Sequence, residues 1–383
     1  MKKLALFLFF ISMISSVNAQ LLNLQSKDSL NGKPKKAMYF TAWLKMNGIL
    51  DTRGISSTAA LNLPSIPTDG SPPDPHFTMD MYQTRLMFGS SYQSKKLGEI
   101  ISFIETDFYG NGGGNLRIRH AYIRFLNFRV GQTWSGFTDE EAWPNITDFD
   151  GPATGAWVRN PQVAYFLRPN KNQDILFSIE LPSGDYNRYL FVDSTVQTAN
   201  QSIPDLISHY ELRWPQGHFQ ASVVYRSLKY KDSNSKIKFE PGYGLSLSGS
   251  HMITKNDKIV GQALIGKGVS RYLVSFGGSG WDAIPDLNGS LEALPVWGGY
   301  IGYQHFWNVH LSSTFVYGYA EILNALEQPT DYLFTGSYAS GNIYWHIVGP
   351  LNFAFEVIYG NRRDEIDRFG QDIRGQFVFE YNF

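Results

Sequence analysis

The chain has 383 residues, a formal net charge of −1 and a mean hydropathy of −0.23, with 17% charged and 15% aromatic residues and no cysteine. The aromatic content excludes a disordered chain, and the missing cysteine excludes a disulfide scaffold or a cysteine-based metal or redox site. Near-neutral charge gives no electrostatic case for a nucleic-acid partner, and bulk hydropathy this low excludes a helical membrane protein.

Residues 1–19 read as a secretory signal peptide: Lys2 and Lys3 form a positive start, Leu4 to Ile14 an 11-residue apolar run, and Val17-Asn18-Ala19 a small-residue cleavage site. Cleavage removes Lys2 and Lys3 and takes the net charge from −1 to −3. No later stretch reaches the ~18 apolar residues of a membrane helix. Residues 20–37 carry Lys27, Lys33, Lys35 and Lys36 and read as a short flexible periplasmic lead. An exported chain without a helix is either soluble or a closed membrane barrel, because lipid leaves no backbone polar group unpaired.

From Met38 onward the chain alternates with period two between clusters of Gly, Pro, Asn and Asp, the mark of strands. Met38–Leu50 carries Lys45 and Asn47 on its polar face, and Met79–Tyr92 carries Gln83 and Arg85. Around the turn Gly110–Asn115, Ile104, Thr106 and Phe108 oppose Glu105 and Asp107, and Leu116 and Ile118 oppose Arg117 and Arg119. A turn centred near Gly112 pairs Glu105 with Arg119 and Asp107 with Arg117 across the hairpin. The stretch Ser135–Thr154, SGFTDEEAWPNITDFDGPAT, holds Asp139, Glu140, Glu141, Asp148 and Asp150 between two proline-marked ends. Long ordered loops are often functional, and this one reads as folding inward to narrow a pore. Asp148 and Asp150 alone fall short of a calcium loop.

The final strands are the clearest. Leu351, Phe353, Phe355, Val357 and Tyr359 share one face, and in the last strand Phe377, Phe379, Tyr381 and Phe383 oppose Gln376, Val378, Glu380 and Asn382. Termini fray, so a soluble domain does not gain by ending on an aromatic row, whereas lipid accepts it on a closing barrel strand. Strands are expected near 38–50, 77–92, 97–109, 115–126, 127–134, 155–167, 173–181, 205–214, 218–229, 238–251, 257–268, 295–306, 308–320, 331–347, 350–361 and 372–383, about sixteen in all. Short and long connections alternate between them. The fold expected over 38–383 is therefore all-β: a transmembrane antiparallel barrel in a bacterial outer membrane. Trp43, Tyr82, Tyr92, Trp134, Trp157, Trp214, Trp297, Tyr303, Trp307, Tyr344 and Trp345 lie near strand ends, where interfacial aromatic girdles are found.

Eight histidines form no HExxH or other close metal pair, and no G-x-S-x-G elbow is present. No catalytic group, metal or cofactor is indicated. Alternation instead places Lys45, Arg85, Arg117, Arg119, Arg213, Arg226 and Arg374 on the lumen face, together with Glu105, Asp107, Glu211, Glu356, Asp372 and Glu380. Arginine binds carboxylate and phosphate bidentately, so the expected partners are small anionic solutes, with outer-membrane lipid outside the barrel. Two alternatives stay open at this point: a barrel enzyme acting on lipid, and a secreted β-rich protein that binds glycans.

Five stretches, ETDFYGNGGGNLRIRHAYIRF (105–125), VGQTWSGFTDEEAWPNITDFDGP (130–152), GKGVSRY (266–272), GYQHFW (302–307) and EVIYGNRRD (356–364), resemble the DcaP-like outer-membrane porins. The resemblance implies a sixteen-stranded barrel, usually trimeric, that admits small anions such as dicarboxylates. Its inward loop corresponds to 135–154, and its basic lumen residues include Arg117 and Arg119. Ser312 stands where the family's arginine is expected and Lys267 where an acidic residue is expected.

Overall fold

The computed structural model describes residues 22–55, 57–186, 196–286, 289–323, 333–364 and 366–383; the signal peptide lies outside them. Within these residues the alternating segments form sixteen antiparallel staves. They are β1 (Lys36–Asp51), β2 (His76–Asp80, resuming as Arg85–Ser94), β3 (Gly98–Gly110), β4 (Asn115–Phe125), β5 (Phe128–Trp134) and β6 (Arg159–Asn170). Next come β7 (Gln173–Glu180), β8 (Asp205–Trp214), β9 (Gly217–Lys231), β10 (Ile237–Met252) and β11 (Asp257–Lys267). The last five are β12 (Pro295–Asn308), β13 (Leu311–Ile322), β14 (Leu333–Val348), β15 (Leu351–Asp364) and β16 (Phe369–Asn382).

Each stave pairs with the next, and β16 pairs with β1 from Arg374↔Asp51 to Asn382↔Trp43, which closes the barrel. Closure leaves the spanning sheet without an edge. Below the end of β16, Leu22–Gln25 takes over the same flank of β1, pairing with 37–40. Part of the expected flexible lead is thus strand, on the flank of β1 next to the segment that β16 pairs.

Burial is inverted relative to a soluble sheet. In β16, Asp372, Arg374, Gln376, Val378 and Glu380 are buried, while Phe369, Ile373 and Phe379 are exposed. Outward Phe, Ile and Leu on every side form the apolar band that lipid requires. Turns that join even to odd staves are short, and the chain ends lie on that side. The connections after β1, β5, β7 and β11 are long. Short turns face the periplasm in such barrels.

The described parts of the long connections turn inward. Residues 52–75 bury Leu61, Leu63 and Ile66 completely, in one cluster with Tyr338 and Ile358. At Gly370 a Cβ would stand 2.2 Å from the Pro67 carbonyl oxygen, so only glycine lets this loop approach the wall. On the other side, Phe137, Tyr272, Phe276 and Trp281 from two loops pack on Ile207, Val224, Leu264 and Val296 of β8, β9, β11 and β12. Each such side chain contributes roughly 1.5–3 kcal/mol on burial, enough to hold loops within the barrel. The β8–β13 half of the interior is therefore largely filled.

Three expectations are corrected here. Trp134, Trp157 and Tyr344 are buried inside, and Trp43 stacks on lumen cations rather than joining an outer girdle. Inward loops create an apolar interior that strand alternation cannot register. Tyr92, Trp214, Trp297, Tyr303, Trp307 and Trp345 lie on outward positions of their staves. Finally, Glu105 pairs in register with His120, not Arg119, because β4 bulges at that point.

Candidate functional site: the lumen constriction

Residues 135–158 leave β5, cross the interior and return as β6. The loop is pinned to the wall all round. Gly136 N donates to Glu180 (2.9 Å), and Ala156 N donates to Gln262 (2.6 Å). Tyr300 OH donates to the Ala142 carbonyl (3.0 Å), and Asn342 Nδ2 to the Asn145 carbonyl (2.8 Å). Glu356 accepts from both N (2.5 Å) and Oγ1 (2.6 Å) of Thr147. Lys45 Nζ reaches the Thr147 carbonyl (3.5 Å) and Glu380 (3.4 Å). These partners belong to β7, β11, β12, β14, β15 and β1, so the loop spans the barrel at mid-height.

Asp139 starts a short 3-10 turn at Glu140–Ala142 by accepting from Glu141 N (3.0 Å) and Ala142 N (3.3 Å). It also takes His218 Nε2 at 2.8 Å and Ser248 Oγ at 2.7 Å. Burial works to raise this carboxyl; the His218 and Ser248 hydrogen bonds outweigh it and hold it below the usual range. Asp148 is different. Burial strips its hydration and pushes it up to about 7, against the pull of Arg374. Its Oδ2 meets Leu61 N of the first loop at 3.5 Å.

The loop carries Phe149 and Asp150 toward the wall of β2–β6. There Arg117 is held by Asp107 (2.6 and 3.0 Å). Arg119 bridges Glu105 (2.7 Å) and Asp107 (3.0 Å). Arg85 lies 3.5 Å from Glu105 and stacks on Trp43, at 4.5 Å from its ring centre, with Phe149 on the loop side at 5.4 Å. Arg159, the first residue of β6, covers Trp134 at 4.6 Å. Asp150 is near enough to Arg85, Arg117 and Arg159 to favour their charged forms. Asp107 and Arg119 sit behind, at 0% and 3% side-chain exposure, with Arg85 at 24% and Arg117 at 33% in front. Four guanidiniums (Arg85, Arg117, Arg119, Arg159) lie near three carboxylates (Glu105, Asp107, Asp150), one positive charge in excess.

Nearer the periplasm a polar cavity of about 340 Å³ is lined by Arg124, Arg129, Arg168, Arg213, Glu140, Glu141 and Glu211. Arg213 bridges Glu141 (2.6 Å) and Glu211 (2.5 Å). Glu141, Glu211 and His218 are the one group among the described residues with ligand atoms close enough to share a metal ion. Arg213 already neutralises its two carboxylates. Asp148 and Asp150 turn to different partners and form no common site.

A model of the DcaP outer membrane protein family matches residues 16–383. The chain belongs to this family. It is a channel-type protein of the outer membrane, and membership sets aside the lipid-enzyme and secreted glycan-binding alternatives. The DcaP barrel is similar to the crystal structure of the outer membrane channel DcaP of Acinetobacter baumannii, with TM-score 0.78 and 21% identity over 94% of this chain and 100% of that one. It is also similar to an anion-selective porin from Comamonas acidovorans (TM-score 0.59, 9% identity, 91% of this chain and 100% of that one). A third is outer-membrane OmpT of Vibrio cholerae (TM-score 0.57, 9% identity, 93% and 100%). At these identities the structures show the shared porin fold. No curated protein matches the chain in sequence.

All the expected lumen residues point inward, but they do not form one open ladder. Arg85, Arg117 and Arg119 gather with Glu105 and Asp107; Arg213 stands apart below. Arg226 and Arg374 are corrected: both are 0% exposed and closed off from lumen water. Arg226 is bound by Asp205 (3.1 Å) and Asp282 (2.7 Å) and by the Gly268 and Ser183 carbonyls. Arg374 is bound twice by Asp51 (3.1 and 2.9 Å). Lys45 and Glu356 are likewise buried as ties for the crossing loop. Arg159 escaped the sequence reading because it sits where loop becomes strand and alternation gives no face. Its signal was its neighbour in space, Trp134.

Proposed function

We propose that this DcaP-family porin passes small anionic, carboxylate-type solutes by passive diffusion, and that it works as a homotrimer. The observation that carries the selectivity is the front of partly open guanidiniums, Arg85, Arg117 and Arg159, backed by buried Glu105 and Asp107. A solute that sheds water at the constriction regains charge-assisted hydrogen bonds from these arginines. The buried carboxylates hold the forks in place without facing the solute. The loop at 135–158 sets the width, and its pins to the wall keep that width constant. Selectivity of this kind depends on the charges at the narrowest ring. Trimeric assembly is supported by a trimer form of Vibrio cholerae OmpT, similar at TM-score 0.51.

Liposome swelling tests the transport reading. Vesicles holding the protein purified from outer membranes should swell faster in a small dicarboxylate than in a diamine of equal size. Equal rates would leave an unselective pore, and no swelling with folded barrel would end the open-channel reading. Cross-linking of the detergent-solubilised protein tests the trimer: a monomer alone would refute it.

A further inference from the structure

The outer wall carries a feature that diffusion through the lumen does not use. A groove of about 550 Å³ runs down the lipid-facing side of β9–β12, lined by Val223, Tyr243, Leu245, Ile265 and Trp297, with Lys267 as its cation. The apolar members are exposed: 62% for Ile265 and 56% for Tyr243. Lys267 pairs in register with Tyr243 on one side and Pro295 on the other. It lies at the long-loop end of β11, whose other end is Asp257, held by Tyr303 OH (2.6 Å) and His305 Nδ1 (2.7 Å). The ten-residue step between them, at ~3.4 Å per residue and ~40° of tilt, spans about 26 Å of height, close to the apolar band of an outer-membrane barrel. Lys267 thus stands at headgroup depth in the extracellular leaflet, with bilayer depth below it occupied by Ile265, Ala263, Gly261 and Ile259.

We infer that this groove seats one acyl chain of a phosphorylated outer-leaflet glycolipid, with Lys267 on its phosphate. The charge is complementary and placed at the level where the phosphates lie. A lysine stem lies along apolar surface while its ammonium reaches the interface. Glu240 takes one contact from Lys267, at 3.6 Å, and an ammonium has three donors. Lys229 and Lys231 continue the outward face of β9 above the groove, opposite Phe239 and Ile237. They extend the cationic strip toward the core sugars. A second copy of the chain is the less favourable occupant, since it would take the Lys267–Glu240 pair out of water, and a buried ion pair does not readily repay its desolvation.

The test uses the mature protein folded in detergent and native mass spectrometry, with bis-phosphorylated lipid A, its dephosphorylated counterpart and inorganic phosphate as probes. Bis-phosphorylated lipid A should bind. Lys267→Gln should weaken it about fivefold, the equivalent of ~1 kcal/mol for one cation at a membrane surface. Lys267→Arg should restore it. Dephosphorylated lipid should bind weakly and equally to wild type and Lys267→Gln, and millimolar inorganic phosphate should not compete. Heat-modifiable gel mobility confirms that each variant is folded. Equal lipid A affinity for wild type and Lys267→Gln overturns the inference. So does binding that ignores the phosphates, or competition by free phosphate. A change in oligomeric mass on Trp297→Ala without a change in lipid binding also overturns it, by assigning the groove to a second subunit.

Discussion

Arg117 and Arg226 occupy equivalent positions, each on an inward face of a long stave, yet they do different things. Arg117 spends its charge on one buried carboxylate, Asp107, and keeps a third of its side chain in lumen water. Arg226 is enclosed by Asp205 of β8 and Asp282 of a loop, with two loop carbonyls completing the shell. The difference is supplied by the loops. On the β8–β13 side Phe137, Tyr272, Phe276 and Trp281 bring loop backbone down onto the wall, and the arginine becomes a structural tie. On the β2–β6 side the crossing loop packs Phe149 on Tyr109 and Arg119 and leaves Arg85 and Arg117 partly exposed. An inward arginine on a barrel wall is available to a solute only where no loop closes over it.

The largest effect is expected at the closed arginine. Arg226→Met leaves Asp282 buried without its cation, while Asp205 keeps Arg271, a loss of about 3–5 kcal/mol for a broken buried pair. Thermal unfolding of the folded fraction should show a large drop, and its reversal potential should stay at the wild-type value. A changed potential with unchanged stability would make Arg226 a filter residue after all. At the open arginine the roles reverse. Arg117→Ala leaves Asp107 paired with Arg119, so the barrel should keep its melting temperature. One unit charge at ~6 Å in a water-like medium amounts to about 0.7 kcal/mol, so anion preference should fall roughly threefold. Asp150→Asn should move the potential the other way, by a smaller amount, because this loop residue is partly exposed and is screened by water. A shift toward cations would place Asp150 outside the field of the arginines.

The smallest effect concerns pH. Asp148, pushed up to about 7 by burial, favours its neutral form in the folded loop. The stability it contributes is fully present below the ordinary carboxyl range near 4 and is lost as pH rises through about 7. Melting temperature should therefore decline by a few degrees from pH 5 to pH 8, and Asp148→Asn should flatten that decline. An identical decline in the variant would assign it to other groups.

Much of the barrel was legible because lipid imposes a strict rule on each stave. The aromatic row from Phe377 to Phe383, the alternation in β15 and the turn around Gly112 all follow from it, and the sixteen staves lie within a few residues of the expected segments. The inward loop was legible from its length and its acidic stretch. What the rule cannot carry is where loops go. Trp134, Trp157 and Tyr344 look like girdle residues, and they are interior because loops make an apolar core there. Arg226 and Arg374 look like pore residues, and they are closed because Asp282 and Asp51 arrive from distant parts of the chain. The β4 bulge that puts both Arg119 and His120 inward has no signal in alternation. Register and side-chain enclosure depend on partners far along the sequence, and period-two patterning is local.

The most direct test of the account is the reversal potential of single channels across a planar bilayer under a KCl gradient, for wild type and for Arg85→Ala/Arg159→Ala. Neither arginine is fully enclosed, so the double variant should fold and conduct. Wild type should prefer anions, and the variant should shift clearly toward cations. Cation preference in wild type, or the same potential in both proteins, would contradict it.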